Sequence, residues 1–257
     1  MKKTRLLVLL FFTLSICYGQ KKDSDFMVMF YNVENLFDIV DNPETSDEEF
    51  TPGSEKKWDE EKYEKKLKDI SDVIKAVGKK ELPEIVGLCE VENQKVLQDL
   101  VDTRSLRRGN YGIIHYDSPD SRGIDCAFLY RTEKFTVSNS RSVPVIFPFD
   151  SSLTTRDILY VEGTTNEGET LHFFINHWSS RAEGERESQP KRMFCAVTLR
   201  KEVDAIMNRD PEARILIMGD LNDEPSNRSV FEMLLANYLT QTSSMQHQLV
   251  KIQIRFG

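Results

Sequence analysis

Residues 214–223 read Arg-Ile-Leu-Ile-Met-Gly-Asp-Leu-Asn-Asp. The apolar run Ile215–Met218 has the length and composition of a buried strand. It delivers Asp220, Asn222 and Asp223 just where the chain leaves the core. The same design recurs upstream. Met27–Tyr31 runs into Asn32, Glu34 and Asn35; Ile85–Cys89 runs into Glu90, Glu92 and Asn93; Leu171–Ile175 runs into Asn176 and His177. A further run, Ile124–Tyr130, is entered past Arg122, with Asp125 at its start.

Taken singly, each polar residue has an ordinary reading. Asx residues after strands form turns, His177 beside Trp178 reads as a packed histidine, and Arg122 with Asp125 reads as a loop ion pair. Glu90 stands out, because it prolongs an apolar run and a buried carboxylate needs a partner. Four strand ends bearing carboxylate, amide or imidazole together predict one polar pocket rich in oxygen ligands. Such a pocket suits a hard cation, magnesium, manganese or calcium before zinc or copper. The chain has 4 histidines, none paired at ligand spacing, which argues against a zinc hydrolase.

Between these runs, Tyr63, Leu67, Ile70, Ile74 and Val77 recur at helical spacing, and so do Ala196, Leu199, Val203 and Ile206 on a helix read from Pro190 to Asn208. The stretch from Asp38 to Glu61 is acidic, contains Pro43, Pro52 and Gly53, and reads as a surface loop. Strands alternating with long helices predict an α/β domain of two stacked sheets with helices outside.

The first 19 residues carry Lys2, Lys3 and Arg5 ahead of the apolar run Leu6–Ile16, which reads as an export signal cleaved after Gly19. The expected location is therefore periplasmic or secreted. Ile16 before Cys17 disfavours lipid attachment, and no apolar run approaches membrane length. The rest, residues 20–257, is expected to form the single domain. Loss of the leader would take the net charge from −8 to −11, so polyanions cannot be held by diffuse attraction. Cys89, Cys126 and Cys195 lie in apolar segments and form no disulfide framework.

These residues also carry a resemblance. Phe30-Tyr31-Asn32-Val33-Glu34-Asn35, Gly87-Leu88-Cys89-Glu90-Val91, Arg122-Gly123-Ile124-Asp125, Asn176-His177-Trp178-Ser179-Ser180-Arg181 and Gly219-Asp220-Leu221-Asn222-Asp223 resemble the motifs of the endonuclease/exonuclease/phosphatase superfamily. Cys89 stands where that pattern has Gln. The resemblance spans roughly Phe26 to Leu235 and implies a four-layer α/β/β/α sandwich. It implies that Glu90 holds Mg2+ (or Mn2+) with Asn32 beside it. Asp220 would orient or deprotonate the attacking water, Asn222 would place the phosphate, and His177 would donate to a phosphoryl oxygen. Asn176, Arg122 and Arg181 would contact the substrate.

Family members end on a strand followed by Ser-Asp-His. Here 34 residues follow Asp223, their sole histidine is His247, and no Asp-His pair occurs among them. The ending from Asn237 shows no turn-strand-turn design, so the sandwich is expected to lack its last strands. A broken reading frame is the favoured account of that ending, and a divergent member the other. The leading functional expectation is an exported nuclease or phosphodiesterase acting on nucleic acid or another phosphodiester, with no protein partner evident. A sphingomyelinase or inositol-phosphate phosphatase, and a catalytically silent phosphate- or metal-binding protein, stand as alternatives.

Overall fold

The computed structural model describes residues 26–78 and 81–234 and the backbone of 250–254. In chain order the elements are β1 (Val28–Leu36), α1 (Glu60–Gly78), β2 (Ile85–Val91), α2 (Gln94–Asp102), β3 (Tyr111–His115), β4 (Asp125–Arg131), β5 (Phe135–Val143), β6 (Ile158–Thr165), β7 (Thr170–His177), α3 (Glu185–Arg209), β8 (Arg214–Asp220) and β9 (Val250–Ile254).

The strands form two sheets, ordered β1-β2-β4-β3 and β5-β6-β7-β8-β9. Pairing is parallel for β1–β2, β7–β8 and β8–β9 and antiparallel elsewhere. Period-2 alternation sends half of each strand's side chains inward. Phe30, Cys89 and Phe128 of one sheet thereby meet Phe173, Ile175 and Met218 of the other in one buried cluster. The Phe128 and Phe173 rings lie 5.1 Å apart across this seam. The outer face of the first sheet carries α1 and α2, through Leu67, Ile70, Ile74, Leu97 and Leu100. The second is covered by α3, through Ala196, Leu199, Val203 and Ile206. The layers are therefore α/β/β/α, as the sequence predicts.

Asp59 starts α1 by accepting the Lys62 amide at 3.1 Å, and Asn93 caps α2 by accepting the Val96 amide at 3.0 Å. Val77, placed on the buried stripe of α1 by spacing, is 46% exposed, because the stripe turns out of the interface in the last turn. The third helix begins at Glu185, ahead of Pro190. Its first turn is held by Arg192, whose guanidinium donates to Glu185 O at 3.1 Å, so the proline does not mark its start.

The acidic segment after β1 lies at the surface but is anchored. Phe37 and Phe50 stack at 4.1 Å and close with Ile124 into a small cluster under Trp58. At the far edge, β9 pairs with β8 from Ile215↔Val250 to Gly219↔Ile254. The sequence reading placed no strand after Asn237; here Val250-Lys251-Ile252-Gln253-Ile254, which alternates apolar and polar residues, pairs with the edge of β8. The remaining expectations for the ending, His247 included, and the leader 1–19 with Cys17, lie outside the described residues. Among the described residues no helix is long and apolar enough to cross a membrane.

Candidate active site

Two backbone irregularities at one level of the first sheet build the site. In the β2–β4 ladder Cys89 faces Cys126 and Val91 faces Asp125, which leaves Glu90 as the extra residue of a bulge. Its φ of 63° is left-handed, a conformation that costs a non-glycine residue about 1 kcal/mol. Beside it, the β1–β2 register shifts between Asn32 and Leu36, with Glu34 (φ 55°) and Asn35 (φ 70°) also left-handed. Strained non-glycine residues gather at functional sites because surrounding structure must hold them there. The double bulge turns Glu90 out of the alternation that would have buried or exposed it fully.

Asn32 uses this geometry. Its Nδ2 donates to Glu90 Oε1 at 3.0 Å and to Asp220 Oδ2 at 3.1 Å, while its Oδ1 accepts the Glu34 amide at 2.9 Å. One amide thus joins β1, β2 and β8 and both sheets. Asn32 orients the two carboxylates, and its own oxygen is engaged by backbone. Asp220 Oδ1 accepts the Asn222 amide at 3.0 Å, in a turn where Asn222 is left-handed (φ 49°). Just before it, Gly219 is obligatory: a Cβ there would lie 2.2 Å from Asn176 O.

His177 closes the site from β7, with Nε2 3.6 Å from Glu90 Oε1. The ring is 4% exposed, and its Nδ1 has no hydrogen-bond partner among the described residues. Burial, with smaller contributions from Arg156 and Arg122, holds the imidazole pKa well below 6.5, so the ring is neutral. Arg156 was not singled out by sequence, since nothing local marks it. It is buried, donates from Nε to His177 O at 3.1 Å and from NH2 to Trp178 O at 2.6 Å, and pairs with Asp120 at 2.9 Å.

The other sequence candidates divide. Asn176 is fully enclosed: its Nδ2 donates to Phe174 O and Met218 O, each at 3.2 Å, and its Oδ1 accepts Trp178 Nε1 at 3.1 Å. It braces β7 against β8 with its polar groups all engaged within the protein. Asn222 Nδ2 donates to Trp178 O at 3.0 Å, tying the two loops that carry His177 and Asp220. Arg181 donates to Asn222 O at 2.7 Å and pairs with Asp223 at 3.0 Å. Arg122 is half-exposed and lies 3.6 Å from Asp120; the expected ion pair with Asp125 is not formed, because Asp125 Oδ1 accepts the Ser118 amide at 2.9 Å. Glu92 and Asn93 serve elsewhere, Glu92 accepting the Asp38 amide at 2.7 Å and Asn93 capping α2. A residue missed by sequence is Lys66 of α1, whose Nζ donates to Glu34 O at 3.2 Å and whose ammonium senses the Glu34 and Glu90 carboxylates.

The donor set fits a hard divalent cation. Glu90 and Asp220 supply carboxylate oxygens, partly exposed and aligned by Asn32, with a neutral imidazole alongside. A separate grouping, His115 with Asp117 and Asp125, brings ligand atoms within 4.8 Å of one another. There the His115–Asp125 contact of 3.2 Å and the Ser118 bonds already engage Asp125, and Asp117 is 91% exposed.

Compared with known families, residues 27–253 match the endonuclease/exonuclease/phosphatase family. The chain belongs to that family. No curated protein sequence matches it. Among solved structures, an endonuclease/exonuclease/phosphatase family protein from Bacteroides thetaiotaomicron superposes with a TM-score of 0.55 at 16% identity, covering 79% of this chain and 66% of that one. ANGEL2, a 2',3'-cyclic phosphatase, in complex with adenosine-2',3'-vanadate, gives 0.55 at 16% identity, covering 80% and 56%. The human Nocturnin catalytic domain with bound sulfate gives 0.51 at 17% identity, covering 64% and 60%. At these identities the likeness is one of fold, and this family member spans less than two thirds of each.

Proposed function

We propose that the chain is a divalent-metal-dependent phosphodiesterase, exported as its leader suggests, acting on nucleic-acid-type or other phosphodiester bonds. The observation that carries this reading is the Asn32 amide bridging Glu90 and Asp220 at 3.0 and 3.1 Å. It brings together two carboxylates 130 positions apart in sequence beside a neutral imidazole. Glu90 would hold Mg2+ or Mn2+. When bound, the cation neutralises charge on the phosphoryl oxygens.

The chain's own groups account for the rest. Asp220, oriented by Asn32 and the Asn222 amide, directs a water at phosphorus and takes its proton as the new P–O bond forms and the leaving P–O bond breaks. The leaving oxygen is protonated from solvent. Neutral His177 donates to a non-bridging oxygen from Nε2, the ring nitrogen that faces Glu90. Arg122, half-exposed, contacts substrate, whereas Asn176, Asn222 and Arg181 hold the loops in register.

Hydrolysis of bis(p-nitrophenyl) phosphate in Mg2+ or Mn2+, with and without chelator, tests the proposal. Activity that chelation abolishes and that Asp220→Asn lowers by about 100-fold or more is expected. Metal-independent turnover, or an Asp220→Asn variant as active as wild type, contradicts it. A catalytically silent binding protein would bind Mn2+ with no turnover of any phosphoester.

A further inference from the structure

The charges around the site are unevenly spent. Of the five cationic side chains named around it, three are engaged within the protein by two carboxylates. Arg156 is paired with Asp120 at 2.9 Å, and Arg181 and Arg192 converge on Asp223 at 3.0 and 2.7 Å. Arg122 faces Asp120 at 3.6 Å with half its side chain in solvent, and half-buried Lys66 rests on Glu34 O. Two cationic side chains, Arg122 and Lys66, therefore remain to meet a substrate.

Against this stands an acidic wall. Residues 38–61 hold ten carboxylates and two lysines, and one of those lysines, Lys56, is paired with Glu49 at 3.0 Å. The segment is fixed at the rim. Ser46 N donates to Ser121 O at 2.7 Å, one residue from Arg122, and Gly123 lies so close to Thr45 that an added Cβ would be 2.8 Å from its Cγ2. Beneath, Phe37, Phe50 and Ile124 lock the segment down. Asp41, Glu44 and Glu48 are exposed on it, and Glu34 projects from the β1 bulge beside Glu90. Asp47, enclosed there, has its pKa raised by burial and further by the Asp41 and Glu48 carboxylates, a sign of the negative field.

We infer that this site takes phosphodiesters of low net charge, a single diester carried on small neutral or cationic groups, and disfavours polyanionic nucleic acid duplexes. The inference rests on the phosphodiesterase reading and narrows its substrate. A duplex binder that neutralises six to ten phosphates loses about 10³–10⁵ in affinity between 50 and 200 mM salt. With about two usable cations, the corresponding loss is on the order of tenfold at most, and exposed carboxylates within a Debye length of roughly 8–10 Å oppose even that. A bound divalent ion offsets Glu90 and Asp220 locally and leaves the rim negative.

The test compares bis(p-nitrophenyl) phosphate with a fluorescent duplex of about 30 base pairs, in Mg2+, across about 50–200 mM salt. Expected is a small-diester kcat/KM that changes less than about twofold, and duplex turnover or anisotropy-detected binding that is weak and rises or stays flat with salt. The triple variant Asp41→Asn, Glu44→Gln, Glu48→Gln, all on the exposed rim, should raise duplex kcat/KM by about threefold or more and leave the small diester within twofold. Duplex binding or cleavage whose log–log salt slope is about −4 or steeper overturns the inference while leaving phosphodiesterase activity standing. Failure to hydrolyse either substrate, with no duplex binding, removes the phosphodiesterase reading on which the inference depends.

Discussion

Asn32 stands opposite Cys89 in the β1–β2 ladder, yet its amide reaches the next residue, Glu90, at 3.0 Å. The bulge makes this possible, because it swings Glu90 through a left-handed backbone and out of the alternation. A regular strand would put the Glu90 carboxylate elsewhere. Position and strain at this residue are therefore one feature, and it separates stability from function.

Glu90→Gly should show that separation. Glycine adopts φ 63° without steric cost, so the fold should gain about 0.5–1 kcal/mol in urea denaturation. Metal-dependent hydrolysis should vanish in the same variant. A destabilised Glu90→Gly protein would show that the bulge is not strained.

Gly219→Ala tests the opposite case. Its Cβ would lie 2.2 Å from Asn176 O and press β8 away from β7, moving both Asp220 and His177. A loss of about 2 kcal/mol or more is expected, read as a lower midpoint in chemical denaturation. An unchanged midpoint would mean the two strands can part freely.

How much of this was legible beforehand follows from what each residue does locally. Strands buried on both faces, such as β2 and β8, announce themselves as apolar runs. The edge strand β5, Phe135–Val143, is polar through Ser138, Asn139, Ser140 and Ser142, and β3 has five half-buried residues; neither makes an apolar run. The second helix has nine residues, too few for a stripe to repeat convincingly. Asn32, Glu90, His177 and Asp220 were legible because each ends an apolar run. Arg156, Asp120 and Lys66 were not, since their partners are distant in sequence. Asn176 was legible only in part: only the packing of β7 on β8 reveals that its amide donates to the Phe174 and Met218 carbonyls.

Asp223 illustrates such a hidden centre. It faces Arg192, whose side chain is fully buried, at 2.7 Å, and also Arg181 at 3.0 Å. The Arg192 Nε contact is close but off-axis for a hydrogen bond, so charge more than geometry sustains it. Asp223→Ala would strand a buried guanidinium and should cost about 3–5 kcal/mol by thermal or urea unfolding. A cost below 1 kcal/mol would mean that solvent reaches Arg192.

His172 gives the fold a pH dependence. Burial lowers its imidazole pKa from 6.5, opposed in part by Glu162, and its Nδ1 lies 2.8 Å from the Tyr160 hydroxyl. The unfolded chain then binds the proton more readily than the folded one. Stability from this source is complete above the unfolded value of 6.5 and is lost as pH falls toward the lower folded value. His172→Gln should flatten the fall in urea midpoint between about pH 7 and pH 5. An identical slope in the variant would assign the dependence to other groups.

Glu90, aligned by Asn32, is the proposed site of the divalent cation. Mn2+ titration of wild type and Glu90→Gln, followed by electron paramagnetic resonance of free Mn2+, addresses it without needing turnover. Saturable binding in wild type that Glu90→Gln weakens by about tenfold or more is the expected result. Equal binding by the two proteins would place the cation elsewhere and contradict the account.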